Sequence, residues 1–172
     1  MSGRDSVALG VCAAAAFSLP LIAGSEPQQT PPPAMWIGEL PVRGSLDDAL
    51  RAGFTRCVEV GRKLRCRREG VMLVGAGPYT AAADLRHTDG SGGFTELLMW
   101  HQWDQGAVSA VGKTLLANGW TICRTGPNEF RGDQAIYTRP GARVRISIDL
   151  SYWGKRRLRV IPERGQPTGH CW

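Results

Sequence analysis

The sequence is poor in residues that commonly carry catalysis or bind metal. It has three histidines, and none belongs to an HExxH pattern; GxSxG and Ser-x-x-Lys patterns do not occur either. The cysteines form no CxxC pair, and no Cys-His pair has zinc-finger spacing. The sequence therefore carries no signal of a metalloprotease, a zinc finger or a serine hydrolase, and we expect no bound metal.

Glycine-rich stretches of the kind that hold nucleotides are present but incomplete. Residues 71–80, VMLVGAGPYT, have Thr80 where a dinucleotide-binding turn needs its third glycine. The stretch around Gly112, Lys113 and Thr114 has Ala107 where a phosphate-binding loop needs its first glycine. We therefore expect no cofactor, and nothing in the sequence predicts binding of nucleic acid.

Only one long apolar run is present, and it lies at the N-terminus. Arg4 precedes the Ala-rich residues 7–24, and a polar, Pro-rich segment follows. A short apolar core that ends in small residues is typical of a cleaved secretory signal, so we interpret residues 1–25 as a signal peptide. An uncleaved anchor is the alternative, although Gly10 and Pro20 interrupt a run that barely reaches the ~20 residues of a membrane span. We expect a periplasmic or secreted protein with no stable membrane anchor after cleavage.

Four cysteines follow residue 25, namely Cys57, Cys66, Cys123 and Cys171. An even number behind an export signal predicts two disulfides in an oxidising compartment. In residues 57–66, CVEVGRKLRC, a two-residue turn at Gly61-Arg62 places Cys57 opposite Cys66, at the short edge of disulfide reach. Cys123 and Cys171 are then left to each other, which would attach the C-terminal tail, residues 163–172, to the second half of the chain.

One stretch of the chain occurs twice. Residues 115–123, LLANGWTIC, restate residues 49–57, ALRAGFTRC: each runs from a helix end through Gly, an aromatic residue, Thr and one more residue to Cys. We predict an α+β fold of two tandem repeats, residues 45–103 and 104–162. Each repeat is one helix followed by an antiparallel meander of about four strands, together a disulfide-stabilised two-layer sandwich. Residues 26–44 are rich in proline and are predicted to be an extended lead-in without a core.

Caps and alternation predict the boundaries of the elements. Ser45 and Asp48 form a capping-box pattern for the first helix, and Asp104 is the expected N-cap of the second. Strands are predicted at residues 54–60, 64–68, 71–74, 79–86, 94–103, 120–124, 134–138, 143–152 and 157–161. The strand at 94–103 is apolar on both faces and is expected to lie centrally, either covered on both sides or exposed to a partner on one.

The last two strands are predicted to form a hairpin that turns at residues 153–155. Leu150 is then opposite Leu158, Ile148 is opposite Val160, and Asp149 meets Arg159 on the outer face. Strict alternation along residues 143–152 places the aliphatic residues inside. Its arginines and serines, among them Arg145, are predicted to face water.

This layout resembles that of the secreted β-lactamase inhibitor proteins, which also have tandem units of one helix and four strands with a disulfide in each. The resemblance covers the chain after residue 25 as an architecture, and no motif residues match.

Tryptophan and arginine are the remaining candidates for a binding surface. Three of the six tryptophans, Trp100, Trp103 and Trp153, lie at predicted strand ends or turns, where contact residues are expected; the alternative is that tryptophans fill the core or cap sheet edges. The last hairpin carries arginines on its outer face, and the first hairpin carries a second basic group; both sets form basic patches or protect sheet edges from pairing. These residues are Arg143, Arg145, Arg157 and Arg159, and Arg62, Lys63, Arg65 and Arg67.

Two functions from different classes are consistent with the sequence. The net charge of +6 suits an acidic partner, so the first hypothesis is an exported, non-enzymatic binding protein. It would contact a protein or an anionic envelope polymer through its aromatic and basic sheet surface. The alternative is a small secreted hydrolase with an unrecognised site near Asp84, His87, Glu96 and His101, where a histidine and a carboxylate would have to converge.

Overall fold

The computed structural model describes residues 30–126, 132–150, 156–163 and 171. Along these residues it contains ten strands and two helices. They are β1 (Met35–Ile37), β2 (Leu40–Arg43), α1 (Leu46–Arg51), β3 (Arg56–Val60), β4 (Lys63–Leu73), β5 (Ala76–Arg86), β6 (Leu97–Trp100), α2 (Gln105–Ala117), β7 (Thr121–Arg124), β8 (Gln134–Thr138), β9 (Val144–Asp149) and β10 (Leu158–Pro162). The predicted signal peptide, Trp153 and the predicted turn at 153–155 lie outside the described residues.

One eight-stranded antiparallel sheet contains most of the strands. Its order is β3-β4-β5-β6-β10-β9-β8-β7, and β1 pairs with β2 in a separate two-stranded sheet. Strand β6 pairs with β5 on one side and with β10 on the other, which confirms its predicted central position. The antiparallel ladder is therefore continuous from one end of the sheet to the other.

The predicted α+β fold of two helix-plus-meander repeats is wrong. The described chain is mostly β, its helices span only six and thirteen residues, and the strands of both predicted repeats belong to one sheet. Pairing of β6 with β10 satisfies backbone groups that would otherwise form two exposed edges.

The sequence that occurs twice, residues 49–57 and 115–123, forms the same local turn in both places. Gly53 and Gly119 both adopt positive φ, of 82° and 77°. After each glycine, the next residue's N–H donates to a carbonyl five residues back, from Phe54 to Ala49 and from Trp120 to Leu115. A glycine turn of this kind ends helices in general, so its recurrence does not by itself define a repeated folding unit.

The predicted lead-in is also partly wrong, because it contains a hairpin that packs on the sheet. Strands β1 and β2 are joined through Gly38 and Glu39, and β2 packs against β6 and β10. Met35, Leu40 and Val42 are buried. These apolar side chains, spaced between the prolines, gain more by joining the core than they would in a solvated extended chain.

The two helices and the main sheet enclose the core between them. Val108, Val111 and Leu115 of α2 are fully buried, as their helical spacing predicts, and α2 packs against β5 and β7. The Tyr79 hydroxyl donates to the Ala107 carbonyl at 3.1 Å, which ties β5 to the start of α2. The capping box at Ser45 and Asp48 is present as predicted.

The first hairpin has the predicted register, and both disulfides are as predicted. Cys57 lies opposite Cys66, the Cα atoms of this disulfide are 4.0 Å apart, and Cys123 pairs with Cys171 at a Cα distance of 5.5 Å. Two disulfides indicate an oxidising environment.

The last hairpin has the predicted faces but not the predicted register. Leu158 lies opposite Ile148, and Arg159 lies opposite Ser147, a shift of two residues from the predicted pairs. Because the side-chain period of a strand is two, this shift keeps Ile146 and Ile148 on the core face. It removes the predicted pairing of Asp149 with Arg159.

Candidate binding groove

One face of the main sheet packs on the helices, and part of the opposite face is open. Residues directly opposite each other on paired strands point to the same face. The pairs Arg56–Arg67, Arg67–Ala82, Ala82–Leu98 and Leu98–Arg159 follow one another across β3, β4, β5, β6 and β10. We call the side of the sheet defined by these pairs the open face.

A groove with a cavity volume of about 450 Å³ lies on the open face. It is lined by four arginines, by apolar groups, and by a few other polar residues. These are Arg56, Arg65, Arg67 and Arg157; Val58, Leu98 and Trp100; and Glu69, Thr80 and Gln102. The groove therefore combines positive charge with apolar surface.

Two of the four arginines are already paired with carboxylates. Arg65 binds Asp84 through two hydrogen bonds of 2.6 Å, from Nε and from the terminal nitrogen. Arg56 lies 2.9 Å from Glu69. The hydrogen bonds from Arg65 lower the pKa of Asp84, so this carboxylate stays ionised and neutralises its partner.

The other two arginines of the groove have a different environment. The Arg67 guanidinium lies 5.7 Å from the centroid of the Trp100 ring, in a cation–π contact. Arg157 is exposed, and its positive charge contributes to the lowered pKa of Asp84. Stacking on a ring leaves the N–H edge of the Arg67 guanidinium accessible, and Arg157 is exposed to solvent. Both side chains can therefore donate hydrogen bonds to an incoming anion.

Beyond β10, the same face of the sheet is covered, and Arg145 lies beneath this cover. It was predicted to face water, but it is buried and forms two hydrogen bonds with Glu163, of 3.0 and 2.8 Å. Arg145 also donates to the Cys171 carbonyl at 3.3 Å. Beside it, buried Ser147 donates to Gln134 at 2.9 Å. The alternation placed Arg145 on the correct face, but the expectation of exposure was wrong because Glu163 and Cys171 pack on its guanidinium.

The predicted contact residues therefore separate into several groups. Trp100 and Arg157 line the groove, and Arg159 is half-buried beside Leu98 on the open face. Arg143 is exposed but does not line the groove. Trp103 is 84% exposed in the loop between β6 and α2, next to the lining residue Gln102. Trp153 lies outside the described residues.

The residues of the hydrolase hypothesis have other contacts. Asp84 binds Arg65. The Nδ1 atom of His101 accepts hydrogen bonds from the backbone N–H groups of Trp103 and Asp104, at 3.3 and 2.9 Å. His87 has a positive φ of 62° in the turn after β5. Asp84 is therefore paired with Arg65, and His101 holds the loop before α2. Hydrogen bonds from Ser91, and to a smaller extent the charge of His87, lower the pKa of Asp89.

Sequence reasoning missed several lining residues of the groove, mainly Arg56, Val58 and Leu98. Arg65 and Arg67 had been grouped in the first hairpin, away from Arg157. The pairing of β6 with β10 brings Arg157 close to Arg65 and Arg67. Such a pairing between distant parts of the chain cannot be predicted from a local sequence pattern.

Comparison of the chain with protein-family models, with curated proteins and with solved structures found no match. In the part of the chain that the structure describes, neither helix has the length and apolar character needed to cross a membrane.

Proposed function

We propose that the protein is an exported, non-enzymatic binding protein whose groove on the open face contacts an acidic partner of the cell envelope. The observation that carries the proposal is the groove itself, where Arg67, Arg157 and Trp100 lie together on solvent-accessible sheet surface. Arginine and tryptophan are enriched among residues that dominate binding energy at interfaces. The positive charge also steers an acidic partner toward this face.

The exported part of the proposal rests on two independent features. The N-terminal residues 1–25 have the pattern of a secretory signal, and the two disulfides fit an oxidising compartment. Together they support a periplasmic or secreted protein that meets its partner outside the cytoplasm.

Affinity capture with matched variants tests this function. The full chain, produced by export so that its disulfides form, is immobilised and exposed to the envelope fraction of the source organism. The double variant Arg67→Gln/Arg157→Gln removes two charges from the groove. Arg62→Gln/Arg143→Gln removes the same charge from exposed positions that do not line it.

We expect one acidic component to be retained by the wild type and by the control variant and lost from the groove variant. Retention by all three proteins, or by none of them, would contradict the proposed function. Circular dichroism melting of each variant checks that the two groove substitutions leave the fold intact.

A further inference from the structure

We infer that the groove takes a polypeptide segment in which one or two carboxylates flank an apolar side chain. This inference rests on the proposed function and specifies the chemistry of the partner at the same site. It follows from the distribution of charge in the groove, from the apolar surface between the charges, and from the carboxylate at its wall.

Only some of the arginines that line the groove are available to a ligand. Arg65 is held by Asp84, and Arg56 is held by Glu69, so each of these guanidinium groups already has a counter-charge. Arg67 and Arg157 are the lining arginines for which the described residues show no carboxylate partner within 4.0 Å. A ligand with one or two carboxylates matches this number, since each can form a charge-assisted hydrogen bond with one arginine.

Apolar surface lies between these charges. Leu98 and Trp100 are half-buried on β6, and Val58 on β3 remains 50% exposed. Covering this surface gains free energy only if the ligand brings an apolar group of its own. The ring of Trp100 also keeps Arg67 close to this apolar surface, so a carboxylate and a neighbouring apolar side chain can be bound together.

A continuous polyanion fits the groove less well. It would bring charges next to Glu69, which lines the groove, and like charges in close contact are unfavourable. It would also leave Val58 and Leu98 without apolar partners. The groove volume of about 450 Å³ is in the range of sites for small ligands and single side-chain clusters, which suits a short peptide segment.

Peptide titration tests the inference on the full disulfide-bonded chain. The probe is a blocked five-residue peptide with leucine between two aspartates and glycine at both ends. The comparison peptides replace leucine by serine or both aspartates by asparagine, and inorganic polyphosphate is the polyanion probe. Binding is followed by NMR, through the arginine Nε–H and tryptophan indole N–H signals.

We expect the aspartate–leucine–aspartate peptide to shift the signals of Arg67, Arg157 and Trp100. Arg157→Gln is expected to weaken this binding about fivefold, as for one surface ion pair, and the serine peptide to bind about fivefold more weakly. Arg143→Gln is the matched control and should leave binding unchanged.

Tighter binding of polyphosphate than of this peptide, equal binding of the asparagine peptide, or no shift at these three residues would each overturn the inference. Such a result leaves the proposed function standing if the capture of an envelope component still depends on Arg67 and Arg157. The two claims therefore fail in different experiments.

Discussion

Arg145 is the residue whose role differs most from its expected one, because it stabilises the fold from a buried position. Its guanidinium holds Glu163 and the Cys171 carbonyl. Replacing it with alanine deprives a mostly buried carboxylate of its ion pair, which typically costs about 3 kcal/mol. We therefore expect Arg145→Ala to lower the free energy of unfolding by about 3 kcal/mol, measured by urea denaturation.

Arg143→Ala is the matched control for this prediction. Arg143 lies two residues earlier and is exposed, so its removal should change the free energy of unfolding by less than about 0.5 kcal/mol. Equal losses in the two variants would show that the buried ion pair of Arg145 contributes nothing specific.

Asp84 provides a prediction about pH. The hydrogen bonds from Arg65 lower its folded-state pKa below the ordinary value, so the ionised carboxylate stabilises the fold above the unfolded-state pKa of about 4. This contribution is lost as the pH falls through the lower, folded-state pKa. The wild type should therefore lose more stability than Asp84→Asn as the pH falls from about 5 to about 2.

Urea denaturation at several pH values measures this difference. Arg65→Gln removes the cause of the shift and should reduce the acid sensitivity in the same direction as Asp84→Asn. If the wild type and both variants lost the same amount of stability on acidification, the ion pair between Arg65 and Asp84 would not contribute to the free energy of unfolding.

At the scale of elements, helix α2 packs so closely on β8 that one of its positions has no room for a side chain. A Cβ atom at Gly112 would collide with the Tyr137 hydroxyl, and both residues are buried. An alanine normally favours a helix over glycine by about 1 kcal/mol, but overpacking a core costs about 1–3 kcal/mol. Gly112→Ala is therefore expected to lower the melting temperature, and adding Tyr137→Phe should restore part of it. Stabilisation by Gly112→Ala alone would contradict this packing.

The single elements could largely be predicted from the sequence because their signals are local. The capping box at Ser45, the Gly61 turn and the apolar spacing of Val108, Val111 and Leu115 each act within a few residues. The register of β9 on β10 was predicted two residues away from the observed one. The apolar–polar alternation of β9 is compatible with both the predicted and the observed register. Only the number of residues in the connection between β9 and β10 distinguishes the two registers.

At the scale of the whole molecule, the two disulfides close chain loops of very different length. Cys57 and Cys66 are separated by 9 residues, and Cys123 and Cys171 by 48. Loop-closure entropy gives about 2.7 kcal/mol for the shorter loop and about 4.1 kcal/mol for the longer one. Replacing Cys123 and Cys171 with alanine should therefore destabilise the protein more than replacing Cys57 and Cys66, by about 1.4 kcal/mol. Chemical denaturation of the two double variants checks the order, and the reverse order would contradict it.

The groove could not be predicted as a unit because it belongs to the assembled sheet. Its residues come from β3, β4, β5 and β6, from Gln102 after β6 and from Arg157 just before β10. The pairing of β6 with β10 joins stretches about sixty residues apart, Leu97–Trp100 and Leu158–Pro162. The sequence identified Trp100 and Arg157 as surface candidates, but it placed Arg145 with them. Burial of Arg145 depends on its contacts with Glu163 and Cys171, and alternation along one strand carries no information about such contacts.

The most direct test of the binding surface is fluorine NMR of the full chain labelled with 5-fluorotryptophan and titrated with the captured envelope partner. Each signal is assigned by a single Trp→Phe substitution. If the groove on the open face is the binding surface, the signal of Trp100 shifts on binding, while the signal of Trp120, which is buried on the other side of the sheet beside α2, stays in place. A partner that binds without moving the Trp100 signal would contradict the account.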